Sequence, residues 1–163
     1  MVDSATLRKV WSKFPTGVTI ISSLDDDGNI HSMTANAVCS VSLDPPLCLA
    51  CVSFTRHSHS NINDRSVFSI SFLRSDQTAL AKYFAVDPEK RHNKVPPKYI
   101  TPSNGIPILA DCIADISCKV TTKHQAGDHT IFVAEIINAN IHDTLINDAL
   151  VFYESKFTTL KRD

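Results

Sequence analysis

Apolar side chains recur along this chain with two different periods. Near its start Leu7, Val10, Trp11 and Phe14 fall at i, i+3, i+4 and i+7, the stripe of an amphipathic helix that Pro15 ends. Such a stripe predicts a helix laid against a barrel. From residue 18 the period becomes that of extended chain. β-Branched residues dominate 18–24, Asp25-Asp26-Asp27-Gly28-Asn29 supplies a tight turn, and Ile30 begins a return strand, which predicts a hairpin. Residues 47–54 and 67–73 read as further strands, with a short polar helical segment around 59–65 between them. Asp76 is placed to cap a helix running through Leu80, Ala81, Phe84 and Ala85, and Asp87-Pro88 closes it. Residues 89–106 hold Pro96, Pro97 and Pro102 with few apolar anchors, which predicts an irregular excursion and, in a ligand-binding barrel, a candidate lid. Alternation returns at 114–120, 130–137 and 150–157. Many strands and few helices predict a mainly β, antiparallel barrel, which removes sheet edges by closing on itself.

Composition narrows the partners. At 163 residues and 43% hydrophobic, the chain fits a single domain, 1–163, long enough to bury a real core. Sixteen Lys and Arg against seventeen Asp and Glu leave a net charge of −1, with no basic surplus to hold a phosphate backbone, so nucleic acid is not an expected partner. The N-terminus lacks a basic stretch followed by an apolar one, and no apolar run approaches the ~20 residues that span a bilayer. The expectation is a soluble, cytoplasmic protein that does not enter membranes.

Five cysteines, Cys39, Cys48, Cys51, Cys112 and Cys118, are odd in number and sit mostly in apolar strand-like runs, where reduced and buried is the default. Cys48-Leu49-Ala50-Cys51 has the spacing of a redox pair or half a zinc site. On a strand, however, residues three apart point to opposite faces, and the second half of a zinc module is missing, so no metal is expected. His31, His57, His59, His92, His124 and His142 form no metal-like pair on a convincing helix and read as surface or capping residues.

The stretch Met33-Thr34-Ala35-Asn36-Ala37-Val38-Cys39-Ser40-Val41-Ser42-Leu43-Asp44-Pro45-Pro46-Leu47 carries the candidate chemistry. Small residues let backbone groups approach an aromatic ring, and Thr34, Asn36, Ser40 and Ser42 can bond to its polar edge. A half-buried strand and loop with ordinary turn chemistry would use the same residues. The stretch resembles the T-A-x-A/S-x-x-S-V-S/T-x-x-P-P-L pattern of the flavin reductase family, the small NAD(P)H:flavin oxidoreductases. Reductase components of two-component aromatic monooxygenases are particularly similar. Four further blocks match in the family's order: Phe14-Pro15-Thr16-Gly17-Val18-Thr19, Leu80-Ala81-Lys82-Tyr83-Phe84-Ala85, Gly127-Asp128-His129-Thr130-Ile131-Phe132-Val133-Ala134-Glu135-Ile136 and Leu150-Val151-Phe152-Tyr153. Together they span nearly the whole chain.

The resemblance implies an FMN-binding Greek-key split β-barrel with a few short flanking helices, and a homodimer holding flavin near the subunit interface. It implies FMN, or FAD, as the flavin, NADH or NADPH as co-substrate, and a monooxygenase that receives the reduced flavin. By the same resemblance Thr34, Ala35 and Asn36 line the isoalloxazine, and Ser40, Val41 and Ser42 continue that wall. The expected phosphate end is Ser53, Thr55, Arg56 and Ser58, with His57 a lesser candidate, where hydroxyls, a guanidinium and the first N–H groups of a helix can meet an anion; a helix-capping loop with a solvated Arg would use the same residues. Gly127, Asp128 and His129 complete the set. Glycine permits an unusual turn, and an imidazole at a strand start can hydrogen-bond or stack against a nicotinamide, which makes His129 the catalytic candidate. Asp128 either orients His129 or closes the turn.

Hydride transfer between two stacked rings obliges no acid, base or nucleophile, so the absence of a catalytic triad fits the implied reaction. One departure stands out: Glu154-Ser155-Lys156-Phe157 occupies a place where the family often carries Gly or Arg before an aromatic, and Lys156 keeps the charge without the bidentate guanidinium. Two rivals remain, an FMN-binding electron carrier without free-flavin reductase activity and a split barrel for another planar ligand such as haem or pyridoxal phosphate.

Overall fold

The computed structural model describes residues 2–91, 98–102, 104–143 and 148–160. In chain order its elements are α1 (Ser4–Trp11), β1 (Thr16–Gly17), β2 (Thr19–Leu24), β3 (Ile30–Ala35), β4 (Val38–Leu43), β5 (Pro46–Ser53), α2 (His57–Arg65), β6 (Val67–Phe72) and α3 (Thr78–Ala85). A 3-10 turn at Pro88–Lys90 leads to β7 (Tyr99–Ile100), β8 (Ile108–Leu109), β9 (Ala114–Ala126), β10 (His129–Ile141), β11 (Leu150–Tyr153) and β12 (Lys156–Thr159).

Seven strands form one sheet in the order β3-β2-β6-β9-β10-β5-β4, and every pairing in it is antiparallel. β3 and β4 lie at opposite edges, yet only Asn36 and Ala37 separate them in the chain. Laid flat, strands ~4.8 Å apart would hold those edges roughly 29 Å from each other. The three peptide steps from Ala35 to Val38 reach only ~11 Å. The sheet therefore rolls up. Register shifts at Ser40/Ser42, Val133/Ala134 and Ile136/Asn138 supply bulges that bend it. At the seam the chain itself crosses, pinned by the Cys51 N–H donating to the Ala37 carbonyl at 2.9 Å, and no ladder joins β3 to β4 among the described residues. This is the expected split barrel.

β2 explains where the core sits. Five of its six residues are buried, so alternation sends Ile20 and Ile21 to opposite faces and feeds two apolar clusters. Ile21 joins Ala50, Val52, Phe68, Phe132 and Ala134 inside the barrel. Ile20 joins Leu73, Leu80, Ala81, Phe84 and Leu150, which pack α3 against the outside.

Several expectations need correction. The stripe of α1 does not lie against the barrel: the helix has no buried residue. Asp3 does cap it, accepting from the Ala5 and Thr6 N–H groups at 2.9 Å each. Asp76 is not the cap of α3. Gln77 holds that position, while Asp76 pairs with Arg74 at 3.0 Å, because a guanidinium two residues away outcompetes the helix N–H groups for the carboxylate. Residues 150–157 are a hairpin, β11 and β12, rather than one strand. The proline-rich stretch contains β7, which pairs with β8, and the Tyr99 hydroxyl lies 2.6 Å from Ser32 Oγ. The lid expectation falls partly on 92–97 and 103, outside the described residues. β9 and β10 run beyond 114–120 and 130–137 into one long hairpin.

All five cysteines are free, with Cys48 buried and Cys51 half-buried on the opposite face, as alternation requires. Cys48 Sγ instead lies 3.5 Å from Cys118 Sγ.

Candidate functional site

The crossing that brings β3 to β4 is also where polar side chains collect. The ends of β3 and β5 and the start of β10 meet there, because the ladder sets His129 opposite Ser53. Gly127, at φ 61°, turns the chain from β9 into β10, a left-handed conformation that glycine adopts without steric cost. The next carbonyl, of Asp128, accepts from the Phe54 N–H at 3.1 Å and ties this turn to the loop after β5.

Thr34, Ala35, Asn36, Ser53, Thr55 and His129 line a groove of about 340 Å³. Arg56 and Cys51 also face it. Its volume is that of a small cofactor site. One wall is small and carefully fixed. The Ala35 carbonyl accepts from buried Thr19 Oγ1 at 2.8 Å, and Thr34 Oγ1 donates to the Ala81 carbonyl of α3 at 2.6 Å. Thr34 is therefore committed as a donor to the fold, and its oxygen can only accept from a ligand. The exposed Asn36 amide donates to Thr16 Oγ1 at 3.1 Å.

The opposite end is polar. Ser53 Oγ and Thr55 Oγ1 lie 3.1 Å apart, and the Arg56 N–H donates to the Ser53 carbonyl at 3.1 Å. Arg56 precedes α2 with no side-chain cap, so the first turn of that helix presents N–H groups to an anion without competition from a capping oxygen. Its guanidinium reaches Asp87 at 2.9 Å and the Ala85 carbonyl at 3.2 Å. At the rim, His129 Nδ1 lies 2.7 Å from Asp128 Oδ1, which holds that carboxyl below the usual range and leaves Nε2 for a ligand.

Two cavities adjoin the groove. Thr34, Ala35 and Asn36 also form one side of an apolar cavity of about 170 Å³, closed by Val18, Phe152 and Phe157. Met33 and Arg56 are shared with a cavity of about 180 Å³ lined by Ser58, Asp87 and Arg91. Arg91 is held there by the Ser32 carbonyl at 3.0 Å and by the rings of Tyr83 and Phe84, 5.1 and 5.0 Å away.

The structure thus gathers Thr34, Ala35, Asn36, Ser53, Thr55, Arg56 and His129 around one groove. It does not bring Ser40, Val41 and Ser42 into that wall; they lie on the edge strand β4, with Ser40 and Val41 exposed. Ser58 is buried and faces the cavity beyond Arg56. Gly127 and Asp128 form the turn behind His129 and line none of the three cavities. Sequence reasoning missed Cys51, Phe157 and Arg91. Alternation against buried Cys48 could have exposed Cys51, whereas Arg91 sits in a loop with no periodic signal.

A small-walled groove edged by hydroxyls, a guanidinium and an imidazole, on the seam of a split barrel, suits a flat ring bearing a phosphate. A family profile described as Flavin reductase like domain matches residues 11–161. Among curated proteins, the chain is 34% identical over 157 residues to an NADH-dependent flavin reductase of a Rhodococcus species, covering 95% of this chain and 85% of that one. Among solved structures it resembles BorF, the flavin reductase component of a bacterial two-component tryptophan halogenase. That match has 35% identity and a TM-score of 0.85, and covers 99% of this chain and all of the other. The Streptomyces globisporus NADH:FAD oxidoreductase SgcE6, in complex with NAD and FAD fragments, matches at 30% identity and a TM-score of 0.88 over 99% of this chain and 94% of that one. The chain belongs to the flavin reductase family.

Proposed function

We propose that this protein is an NAD(P)H-dependent flavin reductase that binds FMN or FAD in the groove at the barrel seam and supplies reduced flavin to a partner monooxygenase. The observation that carries the reading is the joining of Thr34, Ala35 and Asn36 to Ser53, Thr55, Arg56 and His129 around one groove. A flavin held there would supply the two-electron redox chemistry between nicotinamide and acceptor. The chain's own residues bind and orient. Ala35 and the backbone beside it present a thin wall to a ring face, and the Asn36 amide meets a polar edge. Ser53, Thr55, Arg56 and the start of α2 receive the phosphate, and Asp87 keeps the guanidinium aimed. Asp128 fixes the ring of His129, whose free nitrogen steadies the nicotinamide against the flavin.

The Streptomyces reductase with NAD and FAD fragments supports NADH as donor, and the halogenase reductase supports delivery of reduced flavin to a separate oxygen-activating component. The partner of this chain is read as a monooxygenase by the resemblance in its motifs. A homodimer, supported by the uncovered stripe of α1, and a cytoplasmic location complete the reading. No helix among the described residues is long and apolar enough to cross a membrane.

Paired variants test the groove. Asn36→Leu should raise the Kd for FMN about tenfold, the loss of one to two edge hydrogen bonds. His129→Ala should lower kcat/KM for NADH roughly 10–100-fold while leaving flavin affinity nearly unchanged. An unchanged flavin titration in the first, or unchanged turnover in the second, removes that residue from the site.

A further inference from the structure

A second cluster of chemistry-bearing side chains lies at the opposite end of β10. His142 follows the last residue of that strand, roughly 40 Å along the chain from His129 at ~3.3 Å per residue. Its N–H donates to the Ile113 carbonyl at 2.9 Å, and the ladder sets Asn140 opposite Asp115 of β9. Asp115 is fully buried. Its carboxylate receives His142 Nε2 at 2.6 Å and Asn140 Nδ2 at 3.2 Å, and no Lys or Arg pairs with it among the described residues. Asp111, at φ 64°, turns the chain so that buried Cys112 joins them. One donor atom each from Cys112, Asp115 and His142 lies within 4.8 Å of the other two.

We propose that Cys112, Asp115 and His142 form a binding site for a divalent transition metal, with zinc the matched ion and a fourth position open to water. Thiolate, imidazole and carboxylate are the three donor types zinc takes, and donors ~2.0–2.3 Å from a tetrahedral ion stand ~3.3–3.8 Å apart. Small movements reach that spacing from the present arrangement, chiefly a separation of His142 from Asp115 by about 1 Å. A buried carboxylate met only by an imidazole and an amide, with no guanidinium or ammonium, suits a cation. Asn140 remains as the outer partner that orients Asp115. Access comes from the His142 side, which lines an open cavity of about 460 Å³ with Ile141 and Asp143. Proton balance is simple. Burial and the Asp115 charge push the Cys112 thiol up to about 11, so the ion displaces one proton from sulfur, while the proton that His142 Nε2 gives to Asp115 moves through solvent to Nδ1 and leaves Nε2 to the ion. Chain spacing hid the site: Cys112 and Asp115 are three apart, and His142 arrives only through the β9–β10 ladder.

Cobalt(II) titration of chelator-treated protein tests it. The expected result is one equivalent bound, with visible bands of tetrahedral cobalt and a near-ultraviolet thiolate-to-cobalt band, both bleached by zinc. Zinc at ~100 times its Kd should raise the Tm by roughly 5–10 °C. Cys112→Ser should abolish the thiolate band while circular dichroism stays native. His142→Gln should weaken cobalt at least ~100-fold, since even outer partners of metal ligands are worth 10–100-fold. Absence of the thiolate band, its loss in Cys39→Ser rather than Cys112→Ser, or a Tm indifferent to zinc would each overturn the site.

Discussion

Thr34 and Arg56 were both expected at a ligand, and both carry a second commitment: Thr34 holds α3 through the Ala81 carbonyl, and Arg56 holds the end of α3 through Ala85 and the segment after it through Asp87. Their place was legible through the resemblance of the surrounding motif, since hydroxyls and a guanidinium between apolar strands also suit ordinary turn and capping chemistry. Their partners were not, since Arg56 and Asp87 lie 31 positions apart with no local pattern linking them. Ser40 and Ser42 show the converse, as small hydroxyls in a matching motif that the edge strand carries past the groove. Asp25 permits a prediction at this scale. A hydrogen bond from His31, then bonds from the Asn29 side chain and N–H, hold its carboxyl at about 2. The folded state therefore prefers the carboxylate. That contribution is complete above roughly pH 4, the unfolded value, and is lost as pH falls through about 2. Urea midpoints of wild type and Asp25→Asn should differ at pH 5, draw together as pH approaches 2 and converge only below it. A constant difference across that range would show that the turn does not titrate.

Strands announced themselves wherever one face meets the core and the other does not, as in β5, whose burial alternates along its length. Alternation misled where a turn lacks turn residues. Glu154 and Ser155 both have positive φ, 48° and 60°, the geometry of a type I′ hairpin, yet neither is Gly or Asn, so the pattern reads straight through from β11 to β12. The fold accepts this because Glu154 is anchored elsewhere: its N–H donates to the Ser12 carbonyl at 2.8 Å and its carboxylate pairs with Lys13. Ser155→Gly should relieve about 1 kcal/mol and raise the Tm by about 2–4 °C in a thermal melt. A lowered Tm would mean that the serine side chain contributes more than its backbone conformation costs.

At the scale of the whole molecule, the antiparallel barrel could be read from strand number, but the seam where its edges meet could not. It follows from the two-residue link between opposite edges, a relation that appears only once strand order is known. The misplacement of α1 has a similar cause. An amphipathic stripe says that something apolar covers it, not that the same chain does. Leu7, Val10, Trp11 and Phe14 are 45%, 62%, 68% and 61% exposed, a continuous stripe that the proposed homodimer would cover. Trp11→Glu should convert a dimer to monomers in sedimentation velocity with an unchanged circular dichroism spectrum. A variant that stays dimeric would place the interface elsewhere. Most direct for the account as a whole is anaerobic stopped-flow mixing of the purified protein with NADH and a tenfold excess of free FMN, followed at the oxidised-flavin band. Reductase function predicts bleaching of many flavin equivalents per protein, whereas bleaching of no more than one equivalent, or none, would contradict it.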